Sequence, residues 1–291
     1  MNRIYLIISL IVAAILGACS GGGSDRPVIA VSVEPQRAML QEIVGEKFHV
    51  VTLLGNGANP ETYDPTMKAR MEVENAAAFF TTGSMPFERR IAEALDPRVR
   101  VVDTSVGIVP IYGTHSHFHE HDADGHHHHH GADERDPHVW VSLRNARIMA
   151  RNMFDAVCEL DSANKPYYTQ RFAALDARLD SLDGVFAQRL RELPSRAFAI
   201  WHPSLSYFAR DYGLEQIAVG FENKEMSSRR LTEIVDEARK DSVKVFFFQK
   251  EYDSRQARTL NTQMGTRLVT INPMAFEWEK SLADITNALV Q

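Results

Sequence analysis

The chain has 291 residues and a formal net charge of −6, with 32 lysines and arginines against 38 aspartates and glutamates. Because no basic cluster offsets this acidic balance, the composition disfavours nucleic-acid binding. The length allows two modest cores under the usual domain-size limits. One of the two cysteines, Cys158, lies in an apolar periodic segment and is predicted to be a buried small hydrophobe.

Residues 1–18 have the pattern of a targeting segment, in which Arg3 precedes an apolar stretch over residues 4–16. That stretch is too short for a membrane span, which needs about 20 apolar residues. The sequence Leu-Gly-Ala-Cys that ends at Cys19 resembles the lipobox of bacterial lipoproteins, which implies cleavage before Cys19 and acylation of its thiol. An ordinary signal peptide or an uncleaved anchor is the alternative. Residues 19–27 are glycine-rich and are expected to form a flexible tether.

A first series of strand and helix patterns begins at residue 28. Short β-branched or aromatic runs alternate with helical periodicity, which predicts βαβ units. The predicted strands are 28–33, 48–54, 77–81 and 99–102, and the predicted helices are 36–44, 65–75 and 86–95. We therefore predict an N-terminal α/β lobe over residues 28–162.

A histidine-rich segment interrupts this first lobe. Nine of the twelve histidines lie in residues 115–130, together with three acidic residues and almost nothing apolar. Such a composition cannot bury enough surface to fold alone, so we expect a disordered loop over residues 113–135 that is rich in metal ligands. An engineered tag or a functionless polar loop is the alternative. The nine histidines are His115, His117, His119, His121, His126, His127, His128, His129 and His130.

A long helical pattern follows the first lobe. Apolar residues recur at intervals of three and four from Tyr168 to Leu193, which predicts one linking helix over residues 163–193. Two shorter helices broken at Gly184 are the alternative, because an interior glycine costs about 1 kcal/mol.

A second alternating series runs from residue 194 to the C-terminus. Its predicted strands are 197–201, 216–220, 245–249 and 268–271, and its predicted helices are 205–212, 229–239, 255–264 and 279–290. The fold class is therefore α/β, with two lobes that each hold a four-stranded, mainly parallel sheet flanked by helices, joined by one long rigid helix.

Three histidines lie outside the histidine-rich segment. His49 is inside a predicted strand and is interpreted as a strand-edge residue. His138 lies in the run Asp136-Pro137-His138-Val139-Trp140, just before a helix. His202 follows the strand 197–201, at the carboxyl end where open α/β sheets place ligands. One histidine from each lobe makes His138 and His202 candidates for a fixed metal site.

With these motifs, the chain resembles the metal-binding solute receptors of bacterial ABC importers, the zinc and manganese class. The resemblance covers nearly all of residues 28–289, and it places the histidine-rich insertion where the zinc-specific members carry theirs. The motif at 136–140 resembles the family's second-ligand motif, and His202 with residues 207–214 is similar to the third-ligand segment. The resemblance implies two α/β lobes joined by a long helix, with the metal in the cleft between them.

Two positions depart from the family's pattern. Residue 61 is a glutamate where the family usually has histidine, and a carboxylate is still a competent zinc ligand. Asn272 stands where the family often carries an aspartate. The resemblance therefore implies Glu61, His138 and His202 as metal ligands, with Asn272 nearby and a water or loop histidine completing the set.

The function that the resemblance implies is capture of a divalent metal, Zn²⁺ before Mn²⁺, outside the cytoplasmic membrane, and delivery to an ABC permease with its ATPase. A monomer anchored through acylated Cys19 at the periplasmic or cell surface is expected. A surface metal buffer or adhesin stays open as an alternative. A zinc metallohydrolase is disfavoured, because no His-Glu-x-x-His segment occurs and Asp64, the one candidate base, is better placed to cap a helix.

Overall fold

The structure is a computed structural model, and it describes residues 26–55, 63–113, 135–220, 228–249, 252 and 254–291. Residues 1–25, which include Cys19, lie outside the described residues. So do Glu61 and the nine histidines of residues 115–130. Among the helices of the described part, none is long and apolar enough to cross a membrane.

The first lobe is built on a four-stranded sheet in the order β2-β1-β3-β4, with every strand pair parallel. Its elements are β1 (Val28–Val31), α1 (Glu34–Val44), β2 (His49–Thr52), α2 (Met67–Glu74), β3 (Ala78–Thr81), α3 (Pro86–Ala94) and β4 (Arg100–Asp103). The predicted elements are confirmed, with ends that differ by a few residues.

The start of α2 corrects one prediction. The side chain of Thr66, not Asp64, caps this helix by accepting a hydrogen bond from the Ala69 amide at 3.2 Å. Asp64 is exposed and instead pairs with Arg70 at 3.2 Å. The reason is position, because Pro65 separates Asp64 from the first turn, and Thr66 directly precedes Met67.

The second lobe repeats the arrangement, with sheet order β6-β5-β7-β8 and all pairs parallel. Its elements are β5 (Ala197–Ile200), α6 (Ser206–Tyr212), β6 (Glu215–Ala218), α7 (Ser228–Lys240), β7 (Val245–Gln249), α8 (Ser254–Met264), β8 (Arg267–Ile271) and α9 (Trp278–Val290). In both sheets the first strand lies inside, so a crevice opens at the carboxyl ends of the strands.

Two helices connect the lobes. After a 3-10 turn at Val139–Val141, α4 spans Leu143–Leu160, and α5 then spans Lys165–Leu190 without a break. The 26 residues of α5 extend roughly 39 Å at 1.5 Å per residue. Gly184 lies inside this helix, so the prediction of one continuous linking helix is confirmed.

The main core runs from the first lobe, under α4 and α5, to one face of the second sheet. The two faces of the second sheet contact different cores, as the residues of strand β5 show. Phe198 and Ile200 face this main core, whereas Ala197 and Ala199 face a smaller core under α7 and α8. This alternation is the period of two expected of a strand. The lobes therefore share one hydrophobic interior on the side of the linking helix.

Polar contacts reinforce the shared interior. Arg178 on α5 contacts Glu42 of the first lobe at 2.7 Å and Glu279 of the second at 2.8 Å. Arg37 on α1 lies 4.3 Å above the ring of Phe276 in the second lobe. These contacts hold the two lobes together on the side of α5.

Candidate metal centre

The candidate centre is formed by two buried imidazoles, one from each lobe. His138 is 2% exposed and His202 is 8% exposed. Their Nε2 atoms lie 3.4 Å apart, and their ring centroids are 5.2 Å apart at an interplanar angle of 70°. The fold thus places the Nε2 atoms of two histidines that are 64 positions apart in sequence next to each other.

Asp136 fixes the orientation of His138. Its Oδ1 accepts hydrogen bonds from the His138 backbone amide at 2.9 Å and from Nδ1 at 2.8 Å. A carboxylate on Nδ1 selects the tautomer in which Nε2 carries a free lone pair, and it raises the basicity of that nitrogen. The Nε2 of His138 that faces His202 is therefore prepared to bind a cation.

Asp136 is itself fully buried and is held by both lobes. Burial acts to raise its pKa, but the charge and hydrogen bonds of His138 outweigh burial and hold the pKa of Asp136 below its usual value. Its amide donates to Ile111 O at 2.8 Å, and Tyr207 of α6 donates to Asp136 O at 3.0 Å. The ionised carboxylate supplies a negative charge beside the site.

His202 is placed by the second sheet. The ladder between β5 and β7 ends with the Trp201 amide donating to Phe247 O at 2.9 Å. The buried side chain of Gln249, at the end of β7, then accepts from the His202 amide at 3.3 Å and donates to His202 O at 2.8 Å. Tyr252 stacks on the His202 ring, with centroids 5.2 Å apart and an interplanar angle of 22°.

Further hydrogen bonds join the lobes around the two imidazoles. Trp140 is fully buried, and its Nε1 donates to Pro273 O at 2.9 Å. Ser142, which caps α4, donates to the carboxylate of Asp211 on α6. These two bonds fasten the chain after His138 to the second lobe, and the Tyr207 bond to Asp136 O fastens the chain before it.

The remaining candidate residues are Asn272, His49 and Glu61. Asn272 follows the edge strand β8, two strands from β5, and it is exposed. Its Oδ1 accepts from the Met274 amide at 3.2 Å. His49 begins β2 and is exposed at the opposite end of the sheet from the crevice, as a structural histidine would be. Glu61, the first ligand that the resemblance implies, lies outside the described residues.

The two facing nitrogens fit a zinc ion. Tetrahedral zinc with Zn–N bonds of about 2.0–2.1 Å holds two nitrogen ligands about 3.3–3.4 Å apart. In the ranges that the structure describes, no third histidine, cysteine or carboxylate completes a metal-binding group with this pair. The pair would therefore supply two ligands, and a third histidine, cysteine or carboxylate ligand would come from outside those ranges.

Sequence reasoning did not assign three residues of this environment, namely Asp136, Gln249 and Tyr252. A signal existed for two of them. Asp136 lies two residues before His138 in the motif, and Gln249 ends a strand beside the one that leads to His202, at the edge where ligands bind. Tyr252 had no such signal, because its stacking depends on the path of the chain after β7.

Together, the fold and the facing imidazoles define a two-lobed binding protein with its crevice at the carboxyl ends of two parallel sheets. Residues 29–289 match the family described as zinc-uptake complex component A, periplasmic. The chain belongs to this family.

Curated relatives and a solved structure agree with this assignment. The zinc-binding lipoprotein AdcA of Streptococcus pneumoniae strain R6 is 26% identical over 287 residues, which cover 94% of this chain and 56% of AdcA. This chain thus spans little more than half of that relative. The high-affinity zinc uptake system protein ZnuA of Bacillus subtilis strain 168 is 27% identical over 275 residues, 91% of this chain and 85% of that protein.

The solved structure is described as "138-173 ZnuA deletion mutant plus zinc bound". It superimposes with a TM-score of 0.80 at 27% identity, and it covers 92% of this chain and 99% of that chain. This agreement confirms the predicted architecture of two parallel four-stranded sheets joined by a long helix.

Proposed function

We propose that the chain captures a divalent transition metal, Zn²⁺ in preference to Mn²⁺, outside the cytoplasmic membrane and delivers it to an ABC importer. The observation that carries the proposal is the 3.4 Å separation of the His138 and His202 Nε2 atoms, which suits tetrahedral zinc. The names of two relatives, a zinc-binding lipoprotein and a zinc uptake system protein, support zinc as the metal.

The ligand set that we propose is His138 and His202 with Glu61. Two neutral imidazoles suit zinc better than manganese, which prefers oxygen ligands. Glu61 would add a carboxylate, and the ionised Asp136 carboxylate adds negative charge close to the cation. Asn272 would lie near this set, because its side-chain oxygen accepts one hydrogen bond, from the Met274 amide, and keeps a second lone pair. A water or a loop histidine would take the fourth position.

We propose binding and release, not catalysis, as the role of this site. A catalytic zinc site needs an open coordination position and a general base beside it. Asp64, the one base considered, is exposed and paired with Arg70 of α2. The partners that we propose are a membrane permease with its ATPase, and a lipid membrane reached through acylated Cys19, with the chain acting as a monomer.

Zinc uptake by a strain that lacks this gene tests the proposal. The intact gene should restore ⁶⁵Zn uptake and growth in zinc-depleted medium, and His138→Ala and His202→Ala should not. His49→Ala is the matched control and should restore both, because His49 is exposed on the far end of its sheet. If deletion of the gene leaves zinc uptake unchanged while the surface loses bound zinc, the chain is a metal buffer and not a transport receptor.

A further inference from the structure

Gln249 is a buried amide side chain that lies beside His202 of the candidate metal centre. It is the last residue of β7 and its side chain is fully buried. Strand β7 lies next to β5, and the chain that leaves β5 reaches His202 two residues later. A buried amide at this point must find partners for both its oxygen and its nitrogen, because an unpaired polar group would cost stability.

The partners of Gln249 are the backbone groups of His202 and a neighbouring hydroxyl. Its Oε1 accepts from the His202 amide at 3.3 Å, and its Nε2 donates to His202 O and to Ser204 Oγ, both at 2.8 Å. The side chain thus extends the β5–β7 ladder beyond the last backbone bond. Only a side chain that both donates and accepts can hold the two backbone groups of His202 in this way.

Tyr252 holds the ring of the same histidine. The phenol is 7% exposed, and it lies nearly parallel to the imidazole with ring centroids 5.2 Å apart. The Tyr252 amide donates to Gln249 O at 3.3 Å, so a backbone hydrogen bond joins the two residues directly. The backbone of His202 is therefore held by Gln249, and rotation of its ring is limited by Tyr252.

We propose that Gln249 and Tyr252 are positioning residues that preset the His202 imidazole for metal binding. This inference rests on the proposed function, because it takes His202 as a ligand. A ligand held in its binding geometry before the metal arrives pays less conformational entropy when the metal binds. Residues that orient a metal ligand typically change metal affinity about 10- to 100-fold when they are removed.

The test compares Gln249→Met and Tyr252→Leu with matched controls in the full chain. Gln36→Met is the control for the first, since Gln36 is also fully buried and accepts from two backbone amides while donating to a hydroxyl, in the other lobe. Tyr252→Phe is the control for the second, because it keeps the ring that stacks on His202. Thermal melts establish that each variant is folded.

Two measurements are made with one equivalent of metal per chain. Competition with a chelator gives the Zn²⁺ affinity, and the visible absorption of the Co²⁺ form reports the coordination geometry. We expect Gln249→Met and Tyr252→Leu to weaken zinc binding about 10- to 100-fold and to shift the Co²⁺ bands. Gln36→Met and Tyr252→Phe should keep the affinity and the spectrum of the unaltered chain.

His202→Ala separates failure of this inference from failure of the proposed function. If His202→Ala loses the tight site but Gln249→Met and Tyr252→Leu match their controls, the positioning role is wrong and the ligand stands. If His202→Ala itself keeps the tight site, both are wrong. Should Gln249→Met fail to fold, Tyr252→Leu against Tyr252→Phe decides alone, and equal affinity of those two variants overturns the inference.

Discussion

The two lobes hold their histidines by different means. His138 of the first lobe is held through its ring by a buried carboxylate, with Asp136 on Nδ1 at 2.8 Å. His202 of the second lobe is held through its backbone by the neutral amide of Gln249, and its ring packs on Tyr252. The first arrangement fixes tautomer and charge, whereas the second fixes position.

This difference gives the surroundings of the two histidines different roles in metal binding. A carboxylate on the distal nitrogen of a ligand histidine strengthens its bond to a cation. The Gln249 amide and the Tyr252 ring hold a second candidate ligand, His202, without a further buried charge, which would be costly in the absence of metal. We therefore expect changes around His138 to act mainly through electrostatics, and changes around His202 mainly through geometry.

The largest expected effect is loss of either imidazole. His138→Ala and His202→Ala each remove a direct metal bond, so each should weaken zinc binding by more than the roughly 100-fold upper range for loss of an orienting residue. Isothermal titration with a competing chelator measures the affinity, and His49→Ala is the control. A variant that binds zinc as tightly as the unaltered chain removes that histidine from the ligand set.

The next effect is expected from Asp136→Asn. The substitution keeps the size of the side chain but removes the charge beside His138, and zinc affinity should fall about 10- to 100-fold. Asp161→Asn is the control, because Asp161 also accepts a short hydrogen bond, from Tyr168 OH at 2.6 Å, at the start of the linking helix. Equal affinity of the two variants would show that the charge of Asp136 does not matter to the metal.

A smaller loss of zinc affinity is expected when the pH is lowered. Histidine must be neutral to bind metal, and its reference pKa is about 6.5, so zinc affinity should fall roughly tenfold between pH 7.5 and pH 6.0. Protonation of two imidazoles should give a steeper fall than protonation of one. His202→Ala should therefore show a shallower pH dependence than the unaltered chain, measured by the same competition titration. A flat profile in the unaltered chain argues against histidine ligation.

The smallest effect on the tight site is expected from deletion of residues 115–130. Ordering a flexible segment around a metal costs about 1–2 kcal/mol per fixed residue, so sites in this segment should be weaker than the preset pair. The deletion should lower the number of zinc ions bound per chain and leave one tight site. If the tight site is lost instead, the histidine-rich segment supplies a ligand at the fourth position.

Much of this architecture was predictable from local patterns. The period of three and four from Tyr168 to Leu193 predicted the linking helix. Gly184 does not interrupt it, because buried residues before and after the glycine pack against the lobes and support the helix. His138 and His202 were found because a motif and a strand end mark them. The prediction that Asp64 caps α2 was wrong, because the sequence offers two candidate caps, Asp64 before Pro65 and Thr66 after it.

The environment of the two histidines was less predictable. The bond from Gln249 to His202 spans 47 residues, and the bond from Trp140 to Pro273 spans 133. No local pattern encodes such contacts, because they depend on which strands become neighbours and on where each turn leads. The two candidate histidines can thus be predicted from the sequence, whereas the residues that we propose to orient them are found only in the tertiary structure.

Crystals of the full chain grown with one equivalent of zinc test the central claim most directly. An anomalous difference map at the zinc absorption edge locates the metal without reference to any assumed ligand. We predict one strong peak between the lobes, about 2.0–2.1 Å from the Nε2 atoms of both His138 and His202. A strong peak elsewhere, with these two nitrogens unbound, would contradict the account.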